Sequence, residues 1–434
     1  MKLCVLGIDG ATPLVALGDD RLVNMRRLMD LGLYGRLQGV FPPGTPCEWD
    51  CFAVSQDPAS FGIYGPRSRM DRTYDPLLAN RNSIDASTIV SVVKRAGGKA
   101  MQLDSTSQID GVTDQASREL FLDRILAASR ERWSTFHELA SQPDWAFLQF
   151  VDSTLEQTQN ALWEESDVRY YQRSVLDYHF ALDEQIGTLL QLIDNETILL
   201  VQSTHGVQQL HGRFFINEWL LEQGLLVLRE SPRKTTALEK SNVDWSKTRA
   251  WAEGGPCGQI FLNVEGREPQ GTIPATEYES FRYSLKNRIE SVLPEERDAP
   301  ATQVLKPEEV CNQVNGVAPD LMVCVGQLAW NTSGMVGGGL LWTKFADGSQ
   351  VHTPSHHGIF VLAAPNCPLC GEYEGARLLD MAPTLLDLAG YEIPDTMQGR
   401  SLLSGKEKKS KSDDPAGSDD QNLIRERLAG LGYI

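Results

Sequence analysis

Four places in the sequence carry side chains that could do chemistry, and each follows or precedes an apolar run. Asp9 closes the run over residues 3–8. The stretch from Asp152 to Asn160 follows the apolar and aromatic run 145–151. Thr204 and His205 follow the run 197–201, while His352, His356 and His357 precede the run that begins at Gly358. Imidazole and carboxylate together suit zinc or manganese. Taken singly, each of these residues reads as a turn, a cap or a satisfied polar group; their recurrence at the ends of successive runs is what points to a site. A fifth position, Thr45, lies in Gly44-Thr45-Pro46-Cys47-Glu48-Trp49, after Pro42-Pro43. A hydroxyl at a helix start is by default an N-cap. With a phosphate ester as substrate it becomes a nucleophile, with helix amides offered to phosphate oxygens and a metal to favour the alkoxide.

The elements that must place these groups can be read from periodicity. Residues 3–8, 100–103, 145–151, 197–201 and 358–364 read as buried strands, and 21–33, 87–96 and 169–193 as helices, with 382–390 a short one. In the long helix Tyr178, Leu182, Ile186, Leu189 and Leu192 share a face. Strands alternating with helices predict an α/β fold, a mostly parallel sheet covered on both faces. Ligands in such sheets bind beyond the carboxyl ends of the strands, where Asp9, the 152–160 stretch and Thr204-His205 all fall. From about residue 226 to 349 Gly and Pro break up the pattern, with short strands at 258–264 and 321–325, which predicts an inserted smaller α+β region. The core is then 1–225 with 350–403. Residues 404–421 read as a solvated linker and 422–434 as a docking segment.

Composition narrows the partners. The 434 residues carry 40 basic and 58 acidic side chains, a net charge of −18. So acidic a chain disfavours a nucleic acid polymer or an anionic lipid surface. No run of eighteen apolar residues exists, which predicts no membrane span. The eight cysteines are scattered, so reduced thiols and a cytoplasmic location are expected, and Asp9 interrupts the N-terminal apolar run too early for a signal peptide. Cys367-Pro368-Leu369-Cys370 and Gly337-Gly338-Gly339 read as loops, and His179 with Asp183 as a local pair on one helix.

The chain resembles the type I phosphodiesterase/nucleotide pyrophosphatase branch of the alkaline phosphatase superfamily. The matching stretches run in order along nearly the whole chain. They include Leu6-Gly7-Ile8-Asp9-Gly10, Pro42-Pro43-Gly44-Thr45-Pro46 with Trp49, Ser203-Thr204-His205-Gly206, Phe215-Ile216-Asn217-Glu218-Trp219, Ala318-Pro319-Asp320, Asp380-Met381-Ala382-Pro383-Thr384 and Met397-Gln398-Gly399-Arg400. The resemblance implies an alkaline-phosphatase-like core and one or two divalent metals, zinc first and manganese second. It implies hydrolysis or transfer at a phosphate ester, above all a phosphodiester or nucleotide pyrophosphate, through a phosphoryl intermediate on Thr45. One metal would be held by Asp9, Thr45, His205 and the residue at 204, where the family has Asp and this chain has Thr204. The other would be held by Glu156 in place of Asp, Asn160 in place of His, and a late His matched by either His352 or His356. The alternative from another class is a catalytically degenerate member that binds a phosphorylated ligand or a protein partner without turnover.

Overall fold

The computed structural model describes residues 1–78, 87–103, 115–162, 168–292, 301–345, 352–365 and 367–404. The expected linker after residue 404 and the docking segment at 422–434 lie outside the described residues.

One sheet organises the molecule. Its main strands are β1 (Lys2–Ile8), β2 (Leu33–Gln38), β3 (Ala100–Leu103), β4 (Phe147–Asp152), β5 (Thr197–Gln202) and β6 (His357–Ala363), in the spatial order β2-β6-β5-β1-β4-β3. Two short strands, Gly371–Glu372 and Ala376–Arg377, extend it beyond β2. β1 lies parallel between β4 and β5, with Ile8 opposite Asp152 and Gly7 opposite Gln202. β6 alone among the six runs against its neighbours, pairing antiparallel with β5 and β2. Its beginning therefore lies at the edge where the others end, and the histidines that precede it arrive at the same edge as Asp9 and His205.

The expected α/β architecture is present, with helices on both faces. Leu3 and Val5 of β1 face one apolar cluster, which contains Phe52 of α2 (Glu48–Val54) and Leu378, Leu385 and Leu386 of the helix Leu378–Leu388. Cys4, Leu6 and Ile8 face the other. That second face is covered by α1 (Val23–Leu31), α3 (Gln115–Ala140) and α4 (Val168–Leu192), through Leu28, Phe136 and Ile186 among others. The alternation follows from the period of two along a strand buried on both sides.

After β5 a separate cluster forms around a four-stranded antiparallel sheet of Ala250–Glu253, Cys257–Leu262, Leu321–Cys324 and Gln303–Leu305, with the helix Tyr278–Glu290 against it. This cluster starts as early as Phe214 and Trp219. Cys257 and Cys324, directly opposed in register, are joined by a disulfide, which corrects the expectation that all eight thiols are reduced. Strand register, not sequence spacing, brings them together across 67 residues.

The pair expected between His179 and Asp183 also differs. Asp183 accepts hydrogen bonds from the backbone of Asn24 and Met25, at 3.1 and 2.8 Å, and so caps the start of α1 from outside. His179 instead binds the Val175 carbonyl through Nδ1, 2.8 Å away. Among the described residues no helix is long and apolar enough to cross a membrane.

Candidate active site

The edge formed by the ends of β1, β4 and β5 is tied together by backbone before any side chain is considered. Asp9 N–H donates to the Asp152 carbonyl at 3.0 Å. Ser203 N–H donates to the Ile359 carbonyl at 2.9 Å, and its hydroxyl donates to the His205 carbonyl at 2.5 Å. Asp152, although at a strand end, is spent on structure. Its Oδ2 accepts from Trp133 Nε1 at 2.6 Å and Tyr178 OH at 2.7 Å, and its Oδ1 from Thr154 N at 2.8 Å.

Thr45 lies in the loop between β2 and α2 and is buried. It does not cap the helix: the N-cap is Cys47, two residues on, and makes no side-chain cap bond. The default reading of this hydroxyl is therefore removed. Its Oγ1 accepts a weak bond from Cys47 Sγ at 3.8 Å. Trp49, in the first turn of α2, reaches across to β1 and donates from Nε1 to Asp9 Oδ1 at 2.9 Å.

The sequence alone assigns Glu48 no role in a site. An acid at the first position of a helix reads as a partner for the helix dipole and nothing more. In the structure it is buried and turned into the site. Its Oε1 accepts from Gly44 N at 2.6 Å; its Oε2 accepts from the Thr204 hydroxyl at 2.5 Å and sits 2.6 Å from His205 Nδ1. Thr204 itself is fully buried with its hydroxyl turned to this carboxylate. The other ring nitrogen, His205 Nε2, is buried without a hydrogen-bond partner and faces Glu156 Oε1 at 3.6 Å.

Glu156 projects inward from the helix Thr154–Ala161, while Asn160, one turn on, is exposed. The late histidines arrive by register. In the strand His352–Ser355, Ser355 pairs with Gly206 and His352 with Gln209, so His352 is carried three residues outward. His356 stands closer: its carbonyl accepts from Gly39 N at 2.9 Å, and its ring stacks on Phe41 at 6.2 Å.

The electrostatics follow from three carboxylates and one imidazole held in a dry place. Burial and then Glu156 push Asp9 up to about 7, against the pull of His205 and of the Trp49 hydrogen bond. Burial works against a charged His205, yet Glu48 and Glu156 outweigh it and hold the imidazole well above its ordinary range. Burial likewise opposes the charge on Glu48, but His205, Thr204 and Gly44 keep that carboxyl below its ordinary value.

Among the described residues no three His, Cys, Asp or Glu side chains form a ready-made metal cage. In kind, however, the donors fit one divalent ion. An imidazole held by a carboxylate at Nδ1, with Nε2 orphaned and facing a second carboxylate, has the arrangement of a metal-ligating histidine with its outer support. They do not fit two ions, since Asn160 is exposed and the Thr204 hydroxyl is engaged by Glu48.

Comparison with known proteins places this site in context. The type I phosphodiesterase / nucleotide pyrophosphatase family matches residues 3–360. No curated protein sequence matches the chain. Among solved structures, human ectonucleotide pyrophosphatase / phosphodiesterase 5 is similar at 14% identity and a TM-score of 0.54, covering 93% of this chain and 98% of that one. The murine protein of the same name is similar at 15% identity and a TM-score of 0.53, covering 91% and 96%. An inactive form of it, in complex with AMP, gives 14% and 0.53 over the same shares. These likenesses speak for the fold. Because the family match spans most of the sequence, the chain belongs to the type I phosphodiesterase/nucleotide pyrophosphatase family.

Proposed function

We propose that this protein cleaves a phosphodiester or nucleotide pyrophosphate of a small phosphorylated molecule, with Thr45 as nucleophile. The observation that carries this reading is the meeting of Asp9, Glu48, Glu156 and His205 at the sheet edge onto which the Thr45 loop is tied by the Gly44–Glu48 bond. Thr45 Oγ attacks phosphorus, and the P–O bond to the leaving group breaks as the Oγ–P bond forms. The departing oxygen takes up a proton, and water then splits the phosphodiester that joins Thr45 Oγ to the retained half of the substrate, releasing a phosphomonoester and restoring the hydroxyl. Glu48 holds the loop and the imidazole in one geometry, and Trp49 holds Asp9 in another. One divalent ion, zinc or manganese, held by Asp9, Glu156 and His205 Nε2, would supply positive charge to the phosphate oxygens and lower the hydroxyl pKa. The murine neighbour bound to AMP makes a nucleoside monophosphate the natural probe for the pocket.

A second reading, a family member that binds a phosphorylated ligand or a protein partner without turnover, draws on the exposed Asn160 and on His205 already flanked by two carboxylates. The deciding experiment is hydrolysis of bis(p-nitrophenyl) phosphate and of a p-nitrophenyl nucleotide ester with zinc or manganese present. Turnover that Thr45→Ala abolishes, with the nitrophenylphosphoryl or nucleotidyl ester of Thr45 trapped by rapid acid quench in the native chain, supports the first reading. AMP binding without any turnover transfers the lead to the second.

A further inference from the structure

We infer that Glu48 is the positioning carboxylate of this centre, supplying from the helix after Thr45 the negative charge that the Ser203–Gly206 turn lacks at Thr204. The inference rests on the proposed phosphoesterase reading only for what the centre is used for; the positioning itself is read from contacts. Three groups converge on this one side chain: Gly44 N from the nucleophile loop, the Thr204 hydroxyl and His205 Nδ1, at 2.6, 2.5 and 2.6 Å. The bonds to Thr204 and His205 span 156 and 157 residues of sequence, so Glu48 joins the loop after β2 to the turn after β5. No other carboxylate touches the turn from that side among the described hydrogen bonds.

Position 204 explains why the charge comes from elsewhere. Its side chain is fully buried, and the turn is packed so closely that a Cβ on Gly39 would come within 2.5 Å of the Thr204 carbonyl. A threonine there can donate its proton to a neighbouring carboxylate, whereas an aspartate could only oppose it. Thr204 and Glu48 thus form a matched donor and acceptor, and the pair occupies the place of a single acid on the turn. With both Glu48 oxygens engaged, the carboxylate fixes which nitrogen of His205 carries the supported proton and leaves Nε2 as the nitrogen facing Glu156.

The test is charge relocation, read by zinc titration calorimetry on the full chain and, separately, by hydrolysis of bis(p-nitrophenyl) phosphate. Glu48→Gln keeps shape and removes charge; it should weaken zinc binding by about 10- to 100-fold. Thr204→Asp alone should weaken binding as well, because it sets two carboxylates against each other. Glu48→Gln combined with Thr204→Asp should recover most of the lost affinity, a rescue that a merely structural Glu48 would not give. Native affinity in Glu48→Gln, a gain from Thr204→Asp alone, no rescue in the double variant, or no zinc binding by the native chain would each overturn the inference. Should Glu48→Gln fail to fold, the single Thr204→Asp variant still decides it by the sign of its effect. A native chain that binds zinc with this pattern but turns over no phosphodiester defeats the proposed activity and leaves the role of Glu48 standing.

Discussion

Gly7 is the residue at which the sheet makes room for the site, and replacing it tests the reasoning most directly. A Cβ on Gly7 would lie 2.3 Å from Trp49 Cη2 and 2.4 Å from Cζ2, far inside contact distance. The obstacle is a rigid indole that also packs edge-on against Phe52 and donates to Asp9 Oδ1 at 2.9 Å. Gly7→Ala must therefore displace the indole or the strand. Overpacking of this kind costs about 1–3 kcal/mol. If the indole swings away, the lost hydrogen bond to Asp9 adds about 0.5–3 kcal/mol, according to the charge on the carboxyl. Against a domain stability on the order of 5–15 kcal/mol, either is a large fraction. The assay is urea unfolding followed by circular dichroism, on Gly7→Ala, Trp49→Phe and the double variant. The smaller ring should accept the new methyl, so the two changes should couple by roughly 1 kcal/mol or more in the direction of rescue. A native midpoint in Gly7→Ala, or strictly additive losses, would refute the claim that Trp49 occupies the space above Gly7.

Three further outcomes follow from the contacts. Zinc or manganese at a hundred times its dissociation constant should add about 2.7 kcal/mol to the stability of the native chain, seen as a raised melting temperature reversed by chelator; an equal shift in Asp9→Ala would remove Asp9 from the ligand set. Glu253 is pushed up from 4.5 to about 7 by burial, with Arg67 pulling down and Glu239 pushing up. Its folded value exceeds its unfolded one, so no penalty exists below pH 4.5, and the penalty grows to at most about 3 kcal/mol as pH rises to 7. Glu253→Gln should accordingly gain stability over the native chain at pH 8 but not at pH 4.5, and parallel pH profiles of the two would contradict this. Arg69 and Glu268 form a buried ion pair at 3.0 Å, with the guanidinium carbon 5.4 and 5.0 Å from the ring centroids of Trp251 and Phe261. Arg69→Ala should cost about 1.5–3 kcal/mol through the lost charged hydrogen bond, since Arg267 still holds the acid at 2.9 Å, and an unchanged urea midpoint would show that Arg267 carries it alone.

The sheet was legible because its strands are short, largely apolar runs closed by polar residues; Lys2–Ile8, Phe147–Asp152 and Thr197–Gln202 lie within two residues of where the sequence places them. The helix Gln115–Ala140 was not. Its buried stripe, Phe121, Ile125, Trp133, Phe136 and Ala140, passes through Ser129, whose hydroxyl is satisfied by Tyr178 at 2.8 Å, and a polar member breaks the pattern unless its partner is known. β2 escaped notice for a related reason: its interior includes Arg36, and its neighbours come from far along the chain. At the site, Asp9, Thr45, Thr204, His205 and Glu156 could be nominated from strand ends and from resemblance. Glu48 could not, because nothing in Pro46-Cys47-Glu48-Trp49 states that the first turn of that helix points at a turn 156 residues away. The pairing of Cys257 with Cys324 is likewise a product of register.

The position of β6 bears on the order in which the molecule can be assembled. β3, β4, β1 and β5 are all contained in the first 202 residues, and they can pair as soon as they are made. β2, which leads into the Thr45 loop, has no partner among them. Its neighbours are β6 and the short strands at Gly371–Glu372 and Ala376–Arg377, all synthesised after the whole region between β5 and β6. A chain emerging from the ribosome thus carries the strands that lead to Asp9, Asp152 and His205 before the strand that leads to Thr45 has a partner to dock on. Closing that gap brings together segments separated by more than 300 residues, the kind of distant pairing that is slow to form. A truncated or stalled chain would thus hold Asp9, Glu156 and His205 without Thr45 and Glu48 beside them.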